Sequence, residues 1–293
     1  MRIELILQSV YLPFLLLLTA VLGLWVHRAV WATALLAAVV AGYLTDALHG
    51  LAAVWIALLA ALAFVYQRVR AALPPKPFSQ AFAGLVFFVY ASAMGLALLP
   101  GFDRVELVAP VVLSAGAAPY AIAVGFPKVV LGILILGLIN PVLVRSWKEL
   151  AQLLARALPV FAVTALVAVG ALLLTGYTSF APKWTALFLL FAPINLFFTC
   201  FSEEACFRGF VQEELSRAGS PPALAAGVAL TVGAILFGLA HFAGSLDYMI
   251  VAFVAGLGYG WAYMRTRRIE AAIAVHFGVN AVHFLLFTYP RLA

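Results

Sequence analysis

Charge is what this chain has least of. Lysine, arginine, aspartate and glutamate make up 10% of its 293 residues, against about 25% in a typical soluble domain. With 66% hydrophobic residues, there is too little polar side chain to cover a water-facing surface, and a soluble globule is excluded. Cysteine is scarce as well. Cys200 and Cys206 sit in or beside one apolar run without CxxC spacing, so neither a disulfide scaffold nor a thiolate metal site is indicated. The apolar content excludes disordered and collagen-like classes. No basic cluster is large enough for a nucleic-acid footprint, so the net charge of +6 is assigned to cytoplasmic loops of a membrane protein rather than to a nucleic-acid partner. No repeat recurs at a fixed period.

What is there is a series of apolar runs near the ~20 residues needed to cross a bilayer. They fall at 5–26, 30–45, 51–66, 81–99, 128–144, 158–175, 184–206, 223–241, 248–264 and 270–288. The expectation is an all-α, polytopic integral membrane protein, a bundle of about ten transmembrane helices in the inner or plasma membrane. The first run is too long, and too closely followed by others, for a cleaved signal peptide. Pro110, Pro119 and Pro127 interrupt 107–127, which suits a re-entrant or surface piece. Residues 1–106 read as an N-terminal transmembrane extension and 107–293 as the functional core. Residues 146–157 read as an amphipathic helix on the cytoplasmic face. The Gly256, Gly258 and Gly260 run, inside an apolar span, reads as close helix packing rather than a phosphate loop.

In such a chain the informative residues are the ionisable ones inside apolar spans. Nearly all lie in the last third, in three groups: Glu203-Glu204-Ala205-Cys206-Phe207-Arg208, Phe237-Gly238-Leu239-Ala240-His241, and His276-Phe277-Gly278-Val279-Asn280. Glu204 and Arg208 are i,i+4, the favourable order for an ion pair. Glu203 points about 100° away from that face. His276 and Asn280 are also i,i+4 and share a face. At 1.5 Å per residue, Glu203 lies about 24 Å and His241 about 33 Å from the tip of the 212–222 hairpin. His276 lies about 13 Å and Asn280 about 20 Å from the Arg265–Arg268 loop. If that hairpin projects about 12 Å from the membrane, all four groups share the cytoplasmic half of the bilayer. A carboxylate that takes a proton from water, with histidine and amide donors around a developing oxyanion, is a hydrolytic constellation.

At these residues the sequence resembles the CPBP intramembrane proteases, also called the Abi family, which include the type II CAAX prenyl endopeptidases. That family is marked by Glu-Glu-x-x-x-Arg, Phe-x-x-x-His and His-x-x-x-Asn on successive helices, and all three occur here in order. The resemblance spans 128–288. It implies an intramembrane endopeptidase in which Glu203 activates the attacking water, assisted by His241, while His276 and Asn280 stabilise the oxyanion. Glu204 and Arg208 would support them. It implies no required cofactor, a membrane-associated peptide or protein as substrate, and the lipid bilayer as surroundings.

Other readings stay beside it. A Glu/His/His set also suits zinc, which would make a metalloprotease. The buried polar groups would equally serve a non-catalytic membrane scaffold or regulator. A transporter would use them as a proton relay, but it would be expected to show broken helices in paired halves, and no such symmetry is visible.

Basic loops (His27-Arg28, Arg68/Arg70/Lys76, Arg145/Lys148/Arg156, Arg265/Arg267/Arg268) alternate with neutral or acidic ones around Asp46, Asp103–Glu106 and Asp247, provided 107–127 does not cross. By the positive-inside rule the N-terminus is outside and the basic loops are cytoplasmic. Single cysteines placed at Gln67 and at Thr266, with Cys200 and Cys206 replaced, should resist a membrane-impermeant thiol reagent in intact cells. Free labelling at either position reverses the orientation.

Overall fold

The computed structural model describes residues 10–72, 77–140 and 142–293. Residues 5–9 of the first expected span, Lys76 of the basic linker and position 141 within the fifth span lie outside the described residues. Ten helices are present among the described residues: α1 Leu12–Gly23, α2 Arg28–Leu44, α3 Ala52–Arg70, α4 Pro77–Gly95, α5 Phe126–Leu134, α6 Trp147–Leu174, α7 Phe188–Ala218, α8 Pro222–Leu239, α9 Leu246–Thr266 and α10 Ile269–Leu286. Six of them, α3, α4, α6, α7, α8 and α10, are long and apolar enough to cross a membrane. Helices α1 and α2 are apolar but shorter, as is the run Phe126–Ile139. The described residues thus fit an all-α membrane protein of about ten helices, six of which meet the length and hydropathy of a span.

The segment 107–127, expected as a re-entrant or surface piece, is not helical ahead of Phe126. Strands β1 (Val105–Val111) and β2 (Tyr120–Val124) form a two-stranded ribbon. Proline explains the choice: a two-stranded ribbon is all edge, where a missing amide donor is tolerated, whereas a helix interior is not. Pro127 falls in the first turn of α5, the helical position that proline suits. The stretch 146–157 is likewise not a separate surface helix. It is the start of α6, which runs unbroken for 28 residues through Pro159. Its beginning is well specified: Ser146 Oγ accepts from the Glu149 amide at 3.1 Å, and Glu149 Oε2 accepts from the Arg145 amide at 2.9 Å. At 1.5 Å per residue α6 is about 42 Å long, more than the ~30 Å hydrocarbon core.

The described residues divide into two compact units, one within Met1–Val105 and Ala123–Pro141, the other Glu106–Ile122 with Val142–Ala293. In the first, α1 packs on α2, α3 on α4, and α5 against α1, α3 and α4. Phe126, fully buried, rests on the Phe14 ring with centroids 5.6 Å apart, and Arg70 Nη1 donates to the Ile139 carbonyl at 2.7 Å.

In the second unit α7 packs against α8, α9 and α10, and α6 lies along α9 and α10. Polarity here is reversed from that of a soluble protein. Leu166 and Leu174 on α6 are 76% and 91% exposed, whereas Glu204 and Arg208 are 0% exposed. Apolar side chains facing outward carry no penalty in hydrocarbon, and ionisable ones are driven to pair within the bundle. Glycine sets how close the helices come. A Cβ at Gly258 would lie 2.1 Å from Thr164 Oγ1, one at Gly278 2.7 Å from the Phe161 ring, and one at Gly260 2.7 Å from Gln212 Oε1. The glycine run thus packs α9 against α6 and α7, as its place in an apolar span suggests.

Thr164 cannot easily yield, because it is β-branched and its hydroxyl donates to the Val160 carbonyl at 2.7 Å. Gly258→Ala should therefore lower stability by about 1–3 kcal/mol, read as a reduced melting temperature in detergent. Adding Thr164→Ala, which removes the two nearest atoms, should recover part of that loss. A Gly258→Ala protein as stable as the wild type would show that α6 and α9 are less tightly apposed.

Candidate active site

Helix α7 carries the two adjacent glutamates, and its register is uneven. It is α-helical over Phe188–Ile194, widens into a π-turn over Asn195–Cys200, returns to α over Phe201–Glu204, widens again over Ala205–Gln212 and finishes as α over Glu213–Ala218. Pro193, inside the first segment, has no amide proton to give the ladder, and the first wide turn follows it directly. Such π-turns are frequent at functional sites.

Glu204 is the hub. Its Oε1 accepts from Arg208 Nη1 at 3.1 Å and lies 2.8 Å from His276 Nδ1. The other arm of the guanidinium, Nη2, donates to the Gly256 carbonyl at 2.7 Å. Arg208 Cζ also stands 4.8 Å from the Phe237 ring and 5.5 Å from that of Tyr259. The His276 ring is stacked on Tyr259 at 4.4 Å and 14°, and meets Phe237 edge-on at 5.5 Å. The i,i+4 pair expected between Glu204 and Arg208 is thus present, and it also anchors a histidine on α10.

His241 lies just past the end of α8, half-buried, with Nδ1 2.7 Å from the Phe237 carbonyl. A carbonyl only accepts, so Nδ1 carries the proton and a neutral ring keeps its lone pair on Nε2. The Phe237 ring, 4.7 Å from His241, joins the two histidines into one cluster. Glu203 is half-buried and within electrostatic range of Cys200 and Tyr248. Tyr248 in turn meets the His241 ring edge-on at 5.6 Å. Asn280, one turn from His276, faces a different set of partners: its Nδ2 donates to Asn195 Oδ1 at 3.1 Å and approaches Cys200 Sγ at 3.6 Å. His283 is buried, with its ring 5.1 Å from Tyr289.

Glu204, Arg208, His276 and His241 are therefore gathered around Phe237, Glu203 adjoins them on the Tyr248 side, and Asn280 is held against α7. Three contributors were not read from the sequence. Tyr259 and Gly256 lie within the glycine run, where spacing signals packing and hides an aromatic wall and a carbonyl acceptor. Asn195 lies outside every motif. Among the described residues no three His, Cys, Asp or Glu side chains group closely enough to hold a metal ion.

Residues 184–282 match the family model described as Type II CAAX prenyl endopeptidase Rce1-like. The match begins just ahead of α7, runs into α10 and takes in all three motifs, a shorter stretch than the 128–288 expected. This segment is thus similar to the type II CAAX prenyl endopeptidases, which supports the resemblance to the CPBP/CAAX protease family. No curated protein and no solved structure matches the chain.

Removing one partner from a buried ion pair typically costs about 3–5 kcal/mol, because the other charge is left behind. Arg208→Ala should accordingly expand or unfold the bundle and lower the melting temperature in detergent. Arg208→Lys, which keeps the charge but not the forked reach to both Glu204 and Gly256, should fall between it and the wild type. An Arg208→Ala protein that melts like the wild type would remove the anchoring role from the pair.

Proposed function

We propose that this protein is a glutamate-dependent intramembrane endopeptidase that hydrolyses a peptide bond of a membrane-associated substrate without a metal. The observation that carries the reading is the buried Glu204–Arg208–His276 cluster joined through Phe237 to His241, inside the segment that matches a family of CAAX proteases. A scaffold needs no such set of titratable side chains from three helices.

Glu203 is the general base. It takes a proton from water, and Nε2 of His241, which keeps its lone pair, accepts a second hydrogen bond and orients that water. The oxygen attacks the scissile carbonyl carbon, and the carbonyl oxygen becomes an oxyanion. His276 and Asn280 stabilise it. Nδ1 of His276 is turned to Glu204, so Nε2 donates when the ring carries a second proton, with the Glu204 carboxylate as its counter-ion. On collapse the C–N bond breaks and the proton held by Glu203 passes to the leaving amine. Glu204 and Arg208 fix the imidazole and set the local field. The family name points to a prenylated Cys-a-a-X tail as the first substrate to try, since an isoprenoid would hold the peptide at the bilayer surface.

The test is cleavage of an internally quenched peptide ending in a farnesylated Cys-a-a-X sequence by the full-length protein in lipid nanodiscs. Glu203→Gln, His241→Ala and His276→Ala should each abolish turnover, because they act as one unit. Asn280→Ala should retain a measurable rate, lower by about 10²–10³. Activity should survive a chelator. Full activity in any of the first three variants breaks the assignment, and activity lost to the chelator and restored by zinc replaces it with a metalloprotease.

A further inference from the structure

We infer that Asn195 is a positioning residue for Asn280, held in place by the π-turn of α7; the inference rests on the reaction proposed above, in which Asn280 is an oxyanion donor. Asn195 and Asn280 are 85 positions apart in sequence and meet side chain to side chain, with Asn280 Nδ2 donating to Asn195 Oδ1 at 3.1 Å. The same oxygen accepts from Cys200 Sγ at 3.2 Å. Asn195 is 8% and Cys200 0% exposed, so the acceptor and the thiol lie away from competing solvent while Asn280 is half-buried. A carboxamide can be turned over at little cost, which would present Oδ1 instead of Nδ2 to an oxyanion and repel it. The thiol and the Asn280 amide both bring protons to one point, so Oδ1 of Asn195 must face them. That in turn fixes which end of the Asn280 amide points toward α7. One Nδ2 proton is given to Asn195 Oδ1 at 3.1 Å, and the other approaches only Cys200 Sγ at 3.6 Å, a weak acceptor that an oxyanion would displace.

The local backbone explains why this is possible. In an α-helix, residues five apart point about 140° away from one another, and Asn195 and Cys200 would face different neighbours. The π-turn over Asn195–Cys200 closes i→i+5 hydrogen bonds and brings the two side chains into line. The wide turn therefore creates the acceptor that orients Asn280. Nothing in the three motifs specifies it.

Two measurements on the full-length protein in nanodiscs test this. On the farnesylated quenched peptide, Asn195→Ala should lower kcat by the same ~10²–10³ as Asn280→Ala and leave KM unchanged. The double variant should be no slower than either single one. Asn195→Asp, which keeps an acceptor oxygen, should retain most of the rate. Losses that multiply in the double variant, or a wild-type kcat for Asn195→Ala, overturn the inference. Independently of any substrate, the infrared S–H stretch of Cys200 in a Cys206→Ser background should rise in frequency on Asn195→Ala and shift on Asn280→Ala. A band unmoved by Asn195→Ala also overturns it. A wild-type protein that leaves the peptide intact while the band responds as expected counts against the protease reading on this substrate and supports the Asn195–Asn280 contact.

Discussion

The carboxylate of Glu204 is fully buried in a bundle whose outer faces are apolar, and its neighbours are arranged to partner it. A buried charge without partners costs several kcal/mol, more than most single interactions return. Arg208 meets one oxygen, His276 meets the same oxygen, and the guanidinium is itself held by the Gly256 carbonyl and the faces of Phe237 and Tyr259. Three helices are thereby committed to one depth and one rotation: α7 through Glu204 and Arg208, α9 through Gly256 and Tyr259, α10 through His276. In lipid, where hydrophobic burial does little to hold helices together, such polar contacts and close packing carry much of the specificity.

The glycines of α9 follow from that commitment. Arg208 Nη2 reaches the Gly256 carbonyl, and a Cβ at Gly256 would stand 3.3 Å from that same nitrogen. One turn further on, Gln212 Nε2 donates to the Gly260 carbonyl at 2.9 Å. Two side chains at i and i+4 on α7 thus read two carbonyls at i and i+4 on α9, and the absence of Cβ atoms there lets the helices approach closely enough to do so. At the next step Glu213 closes the series, accepting from the Tyr263 hydroxyl at 2.8 Å and from Arg267 Nη2 at 2.7 Å. The interface between α7 and α9 is a ladder of polar side chains set against backbone, with glycine as its spacer.

Much of this was legible in the sequence, and what escaped has a common cause. The shared face of His276 and Asn280 and the packing role of Gly256, Gly258 and Gly260 follow from the 3.6-residue period, and the Glu204–Arg208 pair expected from it forms even though Arg208 lies in the second wide turn. The period fails where the backbone leaves it. Asn195 and Cys200 are neighbours only in a π-turn, which hydrophobic spacing does not signal. The ribbon of β1 and β2 was hidden because proline-interrupted apolar residues say where a helix stops, not what replaces it. The merging of 146–157 into α6 reflects tertiary support: Arg268 Nε donates to Glu149 Oε1 at 3.0 Å, tying the first turn of α6 to the α9–α10 loop. Sequence spacing also leaves partners unnamed. That Glu204 would meet His276, 72 residues on, depends on how α7 and α10 are rotated, and no single-helix argument supplies that.

In the proposed reaction the dipeptide Glu203-Glu204 is divided between two tasks. Consecutive helical residues point about 100° apart, so one carboxylate can face the Arg208 side while the other turns toward Tyr248. Glu204 is 0% exposed and bonded on the Arg208 side, whereas Glu203 is half-buried, near Tyr248 and hence near His241. A general base must exchange protons with water, which a fully buried carboxylate already bonded to arginine and histidine is poorly placed to do. The assignment of the base to Glu203 in the proposed reaction therefore follows from the partners its neighbour has taken. The burial of Glu204 and the chemical demand that the proposed reaction places on Glu203 fall on the same turn of helix, because the two side chains cannot occupy the same face.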